Sequence, residues 1–197
     1  MTSRIAIIAI GILAMLASMI WIDLPLATWI NAHNTSELRQ IGSGLEELGK
    51  SQWILGYCLI VTLVAWRSMR SFAKQHIAFF VSVAASGILS NVIKVILCRP
   101  RPPLFIEQGI TQWHLLGFQM EYIWNSFPSG HATTGLAIAI SGSAAYPRLK
   151  WLFWSVGLAI VLGRLMLNAH YLSDVIAGSL LGGVVAMWIL RRFSTAA

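Results

Sequence analysis

Six long apolar runs constrain the fold of this chain more than any other feature of its sequence. A helix needs about 20 apolar residues to cross the hydrocarbon core of a bilayer, and these runs reach or approach that length. Only 11% of the 197 residues are charged, against about 25% in soluble domains, which is too few to cover a water-facing surface. The runs are Ile5 to Ile22, Trp53 to Val64, Ile77 to Leu97, Pro128 to Tyr146, Trp151 to Leu167 and Val175 to Leu190.

These runs predict an all-α polytopic membrane protein with six transmembrane helices. No linker-like stretch divides the sequence, so we expect a single domain over residues 1–197. The first run continues to Ile22 without an A-x-A cleavage site, which favours an anchor over a signal peptide. After it, Leu38, Ile41, Leu45 and Leu48 follow the spacing of one helix face. This pattern predicts an amphipathic helical segment on the outer face.

The charged residues between the runs orient the predicted helices. Alternate segments carry basic residues only, and all seven acidic residues fall on the other side. The positive-inside rule makes the basic side cytoplasmic, with both termini on it. The net charge of +7 then reflects membrane topology and not a nucleic-acid partner. The basic residues are Arg4, Arg67, Arg70, Lys74, Arg148, Lys150, Arg191 and Arg192.

A second group of polar residues lies at the outer ends of the predicted helices. Charges in membrane segments are costly and mark functional sites. Three of the group are cations without a sufficient acidic partner, since Asp174 is the only nearby acid in the group, so an anionic ligand would balance them. The guanidinium group of arginine forms two parallel hydrogen bonds to two phosphate oxygens, which makes phosphate the expected anion. The group comprises Lys94, Arg101, Ser129, His131, Arg164, His170 and Asp174.

Local patterns in this group indicate phosphoryl chemistry. Pro128 to His131 begin a helix, whose free N–H groups favour an anion, and Gly130 has no side chain to block its approach. His170 and Asp174 are four residues apart and share a helix face. An aspartate that accepts from one ring nitrogen leaves the other free to attack. His131, on another helix, is placed to protonate a leaving oxygen.

These residues resemble the three-part signature of the type-2 phosphatidic acid phosphatase (PAP2) superfamily. The first part is a lysine, six residues and Arg-Pro, which Lys94 and Arg101-Pro102 match. The second, Pro-Ser-Gly-His, is present as 128–131. The third is Ser-Arg, five residues, His, three residues and Asp, and here Gly163 replaces the serine. Arg99-Pro100 offers a second Arg-Pro pair, although the spacing favours Arg101 as the phosphate arginine.

The resemblance implies a lipid phosphatase that needs no metal or other cofactor. His170 would attack phosphorus and form a phosphohistidine, Asp174 would orient it, and His131 would serve as acid and then base. The remaining residues would bind the phosphate oxygens: Lys94, Arg101, Ser129, Gly130 and Arg164. Small bacterial members of the family act on phosphatidylglycerophosphate, undecaprenyl diphosphate, phosphatidic acid or lipid A phosphates. The resemblance therefore implies a bacterial inner membrane protein with its site on the periplasmic or outer face.

The motifs leave alternatives open. A lipid phosphotransferase would pass the phosphoryl group to another lipid, and the same residues would serve it. A transporter of a lipid-like or anionic solute also carries membrane charges, but those lie nearer the midplane. Cys58 and Cys98 lack metal-type spacing, and we interpret them as buried thiols. Gly178, Gly182 and Gly183 favour close helix packing within or between chains, and the oligomeric state stays open.

Overall fold

A computed structural model describes residues 2–195 and the side chains of residues 5–193, and this part is helical without strands. The side chain of Arg4, used above for orientation, lies outside the described residues. A π-helical turn, Ser18–Ile22, joins the first two helices, and 3-10 turns span Tyr122–Trp124 and Pro147–Leu149. The helices are α1 (Thr2–Ala17), α2 (Asp23–His33), α3 (Ser36–Leu48), α4 (Ser51–Ala65), α5 (Arg70–Leu97), α6 (Pro102–Gln108), α7 (Gly130–Ala145), α8 (Lys150–Met166) and α9 (Leu172–Thr195).

Helix α7 lies at the centre of the bundle. It packs against α5, α8 and α9, while α1 packs on α9, and α4 on α5. Its sequence is rich in Gly, Ala, Ser and Thr, and such small residues let neighbouring helices approach closely within a membrane. One end of the bundle collects the end of α5, the start of α7, the end of α8 and the start of α9. The site predicted from sequence therefore falls at one end.

The all-α membrane fold is confirmed, but the count of six spans is not. By length and composition, five helical stretches of the described residues suffice to cross a membrane: Ile5–His33, Ser36–Ala65, Arg70–Gln108, Pro147–Met166 and Leu172–Phe193. The predicted span from Pro128 to Tyr146 corresponds to α7, which has 16 residues and is about 24 Å long. Since neighbouring helices enclose α7, it does not need the full length of a lipid-facing helix.

The outer surface of the bundle is apolar, as a lipid-facing surface must be. Large side chains on several helices are more than half exposed, among them Ile7, Leu63, Ile88 and Trp188. A water-soluble protein rarely exposes so much contiguous apolar area. Cys58 and Cys98 are both buried and free. The interpretation of both cysteines as buried thiols is therefore confirmed.

The predicted amphipathic segment is helix α3, which begins at a Thr35 cap whose hydroxyl accepts from the Leu38 N–H. It packs on α8. The contact is close because both helices present glycine there: a Cβ on Gly163 would lie 2.7 Å from the Leu45 Cβ, and one on Gly42 would lie 2.9 Å from the Leu167 Cγ. The two glycines hold α3 against the bundle beside the end of α8.

The glycines of α9 pack against α7 within the chain. A Cβ on Gly178 would overlap the backbone oxygen of Ser129, and one on Gly182 would overlap that of Thr133. Gly183 has more room, since a Cβ added there would lie 3.4 Å from its nearest neighbour, the Ile140 Cδ1. Gly178 and Gly182 thus set how closely α9 approaches the start of α7, which carries Ser129 to His131.

We expect Gly182→Ala to destabilise the protein by about 1–3 kcal/mol, because the added methyl group forces α9 away from a rigid backbone. Thermal unfolding in detergent, followed by circular dichroism, measures the change. Gly56→Ala is the matched control, since a Cβ there meets nothing within 4 Å. Equal melting temperatures for the two variants would contradict this packing.

Candidate active site

A cavity of about 310 Å³ opens among the helix ends at one end of the bundle. It brings together residues that lie far apart in the chain, including Lys94, Arg101, Gly130, His131, Arg164 and His170 of the predicted set. Ser129 and Asp174, the remaining two, are fully buried next to it. The other lining residues are Glu46, Gly49, Lys50, Ser51, Gln52, Gly87, Asn91, Tyr122 and Thr134.

His170 presents one ring nitrogen to the pocket and the other to Asp174. Its Nε2 accepts a hydrogen bond from the Arg101 Nη1 at 3.0 Å, which places the ring proton on Nδ1. Nδ1 lies 3.5 Å from the Asp174 Oδ2. Burial, reinforced by the charge of Arg101, lowers the pKa of His170 well below its ordinary value. The ring is therefore neutral near pH 7, and its one lone pair, on Nε2, accepts the bond from Arg101 at the pocket.

Asp174 is fixed by partners other than the histidine. Its Oδ2 accepts from the Ser126 hydroxyl at 2.5 Å and from the Tyr171 N–H at 3.0 Å. Its Oδ1 accepts from the Arg99 Nη1 at 2.5 Å. These bonds hold the carboxylate in one orientation beside His170.

Arg99 is part of a buried ion network and does not line the pocket. Its Nη2 pairs with the Asp23 Oδ2 at 2.7 Å, while its Nη1 pairs with Asp174. Asp23 also accepts from the Ser18 hydroxyl and from the N–H and hydroxyl of Ser173. Of the two Arg-Pro pairs, the one at Arg101 faces the cavity, as the motif spacing suggests.

The loop before α7 positions Arg101 and Lys94 through its carbonyl groups. The Arg101 guanidinium donates to the carbonyls of Tyr122, Asn125 and Ala169 at 2.7–3.0 Å. The Lys94 Nζ donates to the Asn125 carbonyl at 2.9 Å. Both side chains are more than 90% buried, so their charges act in a poorly solvated pocket. This loop lies within the stretch 103–127, and it contacts both cations through backbone carbonyls, which no side-chain motif marks.

Ser129 caps helix α7. Its hydroxyl accepts from the Ala132 N–H at 3.4 Å, and its own N–H donates to the Asp174 carbonyl at 2.9 Å. The first residues of α7, Gly130 and His131, then line the cavity. The helix start thus points its free N–H groups towards the three cations, where an anion would gain from them.

Arg164 has an acidic partner that the sequence did not reveal. Only 1% of its side chain is exposed, and its Nη1 contacts the Glu46 Oε1. The same oxygen lies 4.0 Å from the His131 Nε2. The expected lack of an acidic partner was therefore wrong for Arg164: Glu46, which lies outside the motifs, contacts it, and Asp23 joins the network behind the site. Neither acid belongs to a motif, so no local pattern marks it.

Similarity to known proteins agrees with this geometry. Residues 75–197 match the model of the PAP2 superfamily. The chain belongs to this superfamily. It is 29% identical to a lipid A 1-phosphatase of Rhizobium etli over 90% of this chain and 80% of that protein. It is 28% identical to an undecaprenyl-diphosphatase of Bacillus subtilis over 72% and 69% of the two chains.

Solved PAP2-type structures share the fold. A transmembrane PAP2-type phosphatidylglycerolphosphate phosphatase of Bacillus subtilis superposes with a TM-score of 0.70 at 17% identity, over 96% of this chain and 97% of that one. LpxE of Aquifex aeolicus gives a TM-score of 0.64 at 22% identity, over 86% and 95% of the two chains. The predictions of PAP2 membership and of a membrane-embedded lipid phosphatase are therefore confirmed.

The departure of this chain from the PAP2 signature has a structural cause. Gly163 stands where the signature has serine, and α3 packs directly over it. A side chain at this position would collide with Leu45. The glycine therefore allows α3 to bring Glu46 to Arg164, the next residue.

We expect Gly163→Ser, which restores the signature residue, to destabilise the protein by about 1–3 kcal/mol through overpacking and to raise KM by displacing Glu46 and Arg164. Kinetics and thermal unfolding in detergent test this. Gly44→Ser on the exposed side of α3, where a Cβ meets nothing within 4 Å, is the control. A Gly163→Ser protein as stable and active as this control would contradict the packing.

We expect Arg99→Lys to lower kcat by about 10–100-fold, the size of effect seen for outer partners of metal-bound histidines, because it loosens the carboxylate of Asp174 beside His170. A single ammonium group cannot reproduce the fork that joins Asp23 to Asp174. KM should change little, because Arg99 does not line the pocket. Steady-state kinetics test this, with Arg148→Lys at the opposite end of the bundle as control. An unchanged kcat would show that the network does not support catalysis.

Proposed function

We propose that this chain removes the phosphate of a glycolipid of the lipid A type through a covalent phosphohistidine on His170. One observation carries the proposal: the neutral Nε2 of His170 opens into the same pocket as Lys94, Arg101 and Arg164. That combination gives a nucleophile beside three cations that bind and neutralise phosphate oxygens. Stabilising the charge of the transferring phosphoryl group is the main task in such reactions.

The reaction has two steps. His170 Nε2 attacks phosphorus and forms the P–N bond while the bond from phosphorus to the leaving oxygen breaks, and His131 gives that oxygen a proton. Water then attacks phosphorus, His131 takes its proton, and the P–N bond breaks to release inorganic phosphate. Asp174 accepts from the Nδ1–H of His170 and stabilises the positive charge on the ring. Lys94, Arg101, Arg164 and the N–H groups at the start of α7 bind the phosphate oxygens.

Two observations favour a sugar phosphate over the other lipid phosphates. Two lipid A 1-phosphatases, from Rhizobium etli and Rhizobium johnstonii, are similar over 90% and 86% of this chain. Apart from the ring of Tyr122, the pocket lining consists of polar residues and glycine. A hydroxylated headgroup suits such a lining better than hydrocarbon does. The cavity is also at the small end of ligand pockets, so the acyl chains would remain in the membrane.

Undecaprenyl diphosphate is the second candidate substrate. The similarity to an undecaprenyl-diphosphatase covers 72% of this chain. In that lipid the group next to the scissile bond is a second phosphate, which is polar as well. The charge of the leaving group therefore distinguishes the two candidates.

The charges of the loops support a proposal for the orientation of the protein in the membrane. The basic loops lie at the end of the bundle opposite the pocket, where α4, α7 and α9 end and α5 and α8 begin. By the positive-inside rule this end is cytoplasmic. We accordingly propose a bacterial inner membrane protein with cytoplasmic termini and an outward-facing site. Glu46 of α3 lines the pocket formed by later helices, which supports treating residues 1–197 as one domain.

We expect the purified protein in detergent with EDTA to release phosphate from lipid A, specifically from the sugar C1 position. His170→Ala should lower the rate by about 10³-fold or more, because the nucleophile is removed. Acid-labile, base-stable phosphate on the wild-type chain would report the phosphohistidine. Phosphatidylglycerophosphate, phosphatidic acid and undecaprenyl diphosphate are assayed in parallel, with Lys150→Ala, at the opposite end, as a variant expected to remain active.

Near-normal turnover by His170→Ala would overturn the mechanism. Release from undecaprenyl diphosphate alone would keep the mechanism and replace the substrate. If phosphate left the donor only when a second lipid was present and appeared on that lipid, the chain would be a phosphotransferase. A mixed donor–acceptor lipid assay separates that outcome from hydrolysis.

A further inference from the structure

Glu46 is the one acidic residue among the described side chains that line the pocket. It comes from α3, which precedes the family-matched residues 75–197, and it belongs to none of the three motifs. An anion-binding pocket gains nothing from a carboxylate as far as affinity for phosphate is concerned. Its presence beside Arg164 and His131 therefore needs a functional explanation.

The position of Glu46 is built into the fold. Helix α3 rests on α8 through the glycine contacts at Gly42 and Gly163. The turn after α3 lies directly over His131, since a Cβ on Gly49 would be 2.6 Å from the His131 Cδ2. The Glu46 side chain, 33% exposed, then reaches inward to contact Arg164. Its backbone cannot move away from the site without unpacking α3.

Glu46 lies on the leaving-group side of the pocket. Its Oε1 is 4.0 Å from the Nε2 of His131, and in the proposed reaction that nitrogen protonates the leaving oxygen. The substrate atoms bonded to the leaving oxygen must therefore lie close to the Glu46 carboxylate. Lys50, at the mouth, is paired with Glu47 at 2.6 Å and so offers little compensation. Arg164 balances the Glu46 carboxylate only in part, because Arg164 also faces the phosphate in the same pocket. The remaining charge of Glu46 therefore acts on the leaving group.

We propose that Glu46 selects the leaving group of this enzyme. A sugar hydroxyl next to the scissile oxygen donates a hydrogen bond to the carboxylate, which is a charge-assisted interaction. A second phosphate at the same place is repelled, because two like charges meet in a poorly solvated pocket. Glu46 is therefore a specificity residue that favours phosphomonoesters of neutral, hydroxylated groups and disfavours diphosphates. The inference rests on the proposed function, in particular on the role of His131.

Uncharged polar residues of the same pocket fit a hydroxylated group. Ser51 and Gln52 open α4, and Asn91 lies one turn before Lys94 on α5; all three line the pocket. Their hydroxyl and amide groups both donate and accept hydrogen bonds. None of them carries a positive charge that would favour a second phosphate.

The test compares two substrates in Glu46→Gln, which is nearly isosteric and removes only the charge. We expect the ratio of kcat/KM for undecaprenyl diphosphate to kcat/KM for lipid A to rise by about tenfold or more, since a unit charge within a few ångströms is lost. Glu46→Ala removes the same charge and should shift the ratio in the same direction. Glu37→Gln is the matched control, because its side chain is exposed on the same helix and does not line the pocket.

A binding assay separates this inference from the proposed function. Inorganic phosphate and inorganic pyrophosphate are titrated into each detergent-purified variant by calorimetry, which needs no turnover. Glu46→Gln should strengthen the binding of pyrophosphate more than the binding of phosphate. Glu46→Asp keeps the charge and should retain the wild-type ratio of the two affinities. An unchanged preference in Glu46→Gln, or an equal shift in Glu37→Gln, would overturn the inference while leaving the phosphatase intact. Phosphate release from none of the lipids would instead overturn the proposed function.

Discussion

Arg99 joins three parts of the chain through two buried carboxylates, and the site depends on that junction. Asp23 follows the first helix, Arg99 follows α5, and Asp174 opens α9. Each charge alone would be costly to bury, and the network is stable only because every member has partners. Since Asp174 belongs to both the network and the proposed catalytic pair, the folding of the first helix onto the bundle also fixes the orientation of His170.

In front of this ion network lies a pocket in which Lys94 and Arg101 contact no carboxylate among the described side chains. Lys94 and Arg101 are satisfied by the carbonyls of a loop, which orient them but carry no full charge. A phosphate dianion would supply the missing charge, and the start of α7 adds its N–H groups. In the proposed mechanism the two halves of the polar cluster therefore have different roles: the rear holds the nucleophilic histidine, and the front binds the anion.

Helix α3 adds a feature that the PAP2 signature does not describe. It needs glycine at Gly163, where the signature has serine, and it brings Glu46 to the edge of the anion site. A small change in sequence, the loss of one hydroxymethyl group, is thus coupled to the placement of a whole helix. Differences in substrate among proteins with the same motifs are expected to arise from such peripheral elements, because the motif residues themselves are committed to phosphate.

The sequence by itself determined the membrane class, the amphipathic helix and the grouping of the motif residues, because hydropathy, helical period and motif spacing are local properties of the chain. The same signals overcounted the spans, since α7 is enclosed by other helices and its hydropathy does not reveal its surroundings. Motif spacing already favoured Arg101 over Arg99, but only the tertiary structure placed Arg99 in the buried network and paired Glu46 with Arg164 and Asp23 with Arg99. Those partners lie far apart in the sequence, and an ion pair between distant residues depends on how helices pack, which no local pattern encodes.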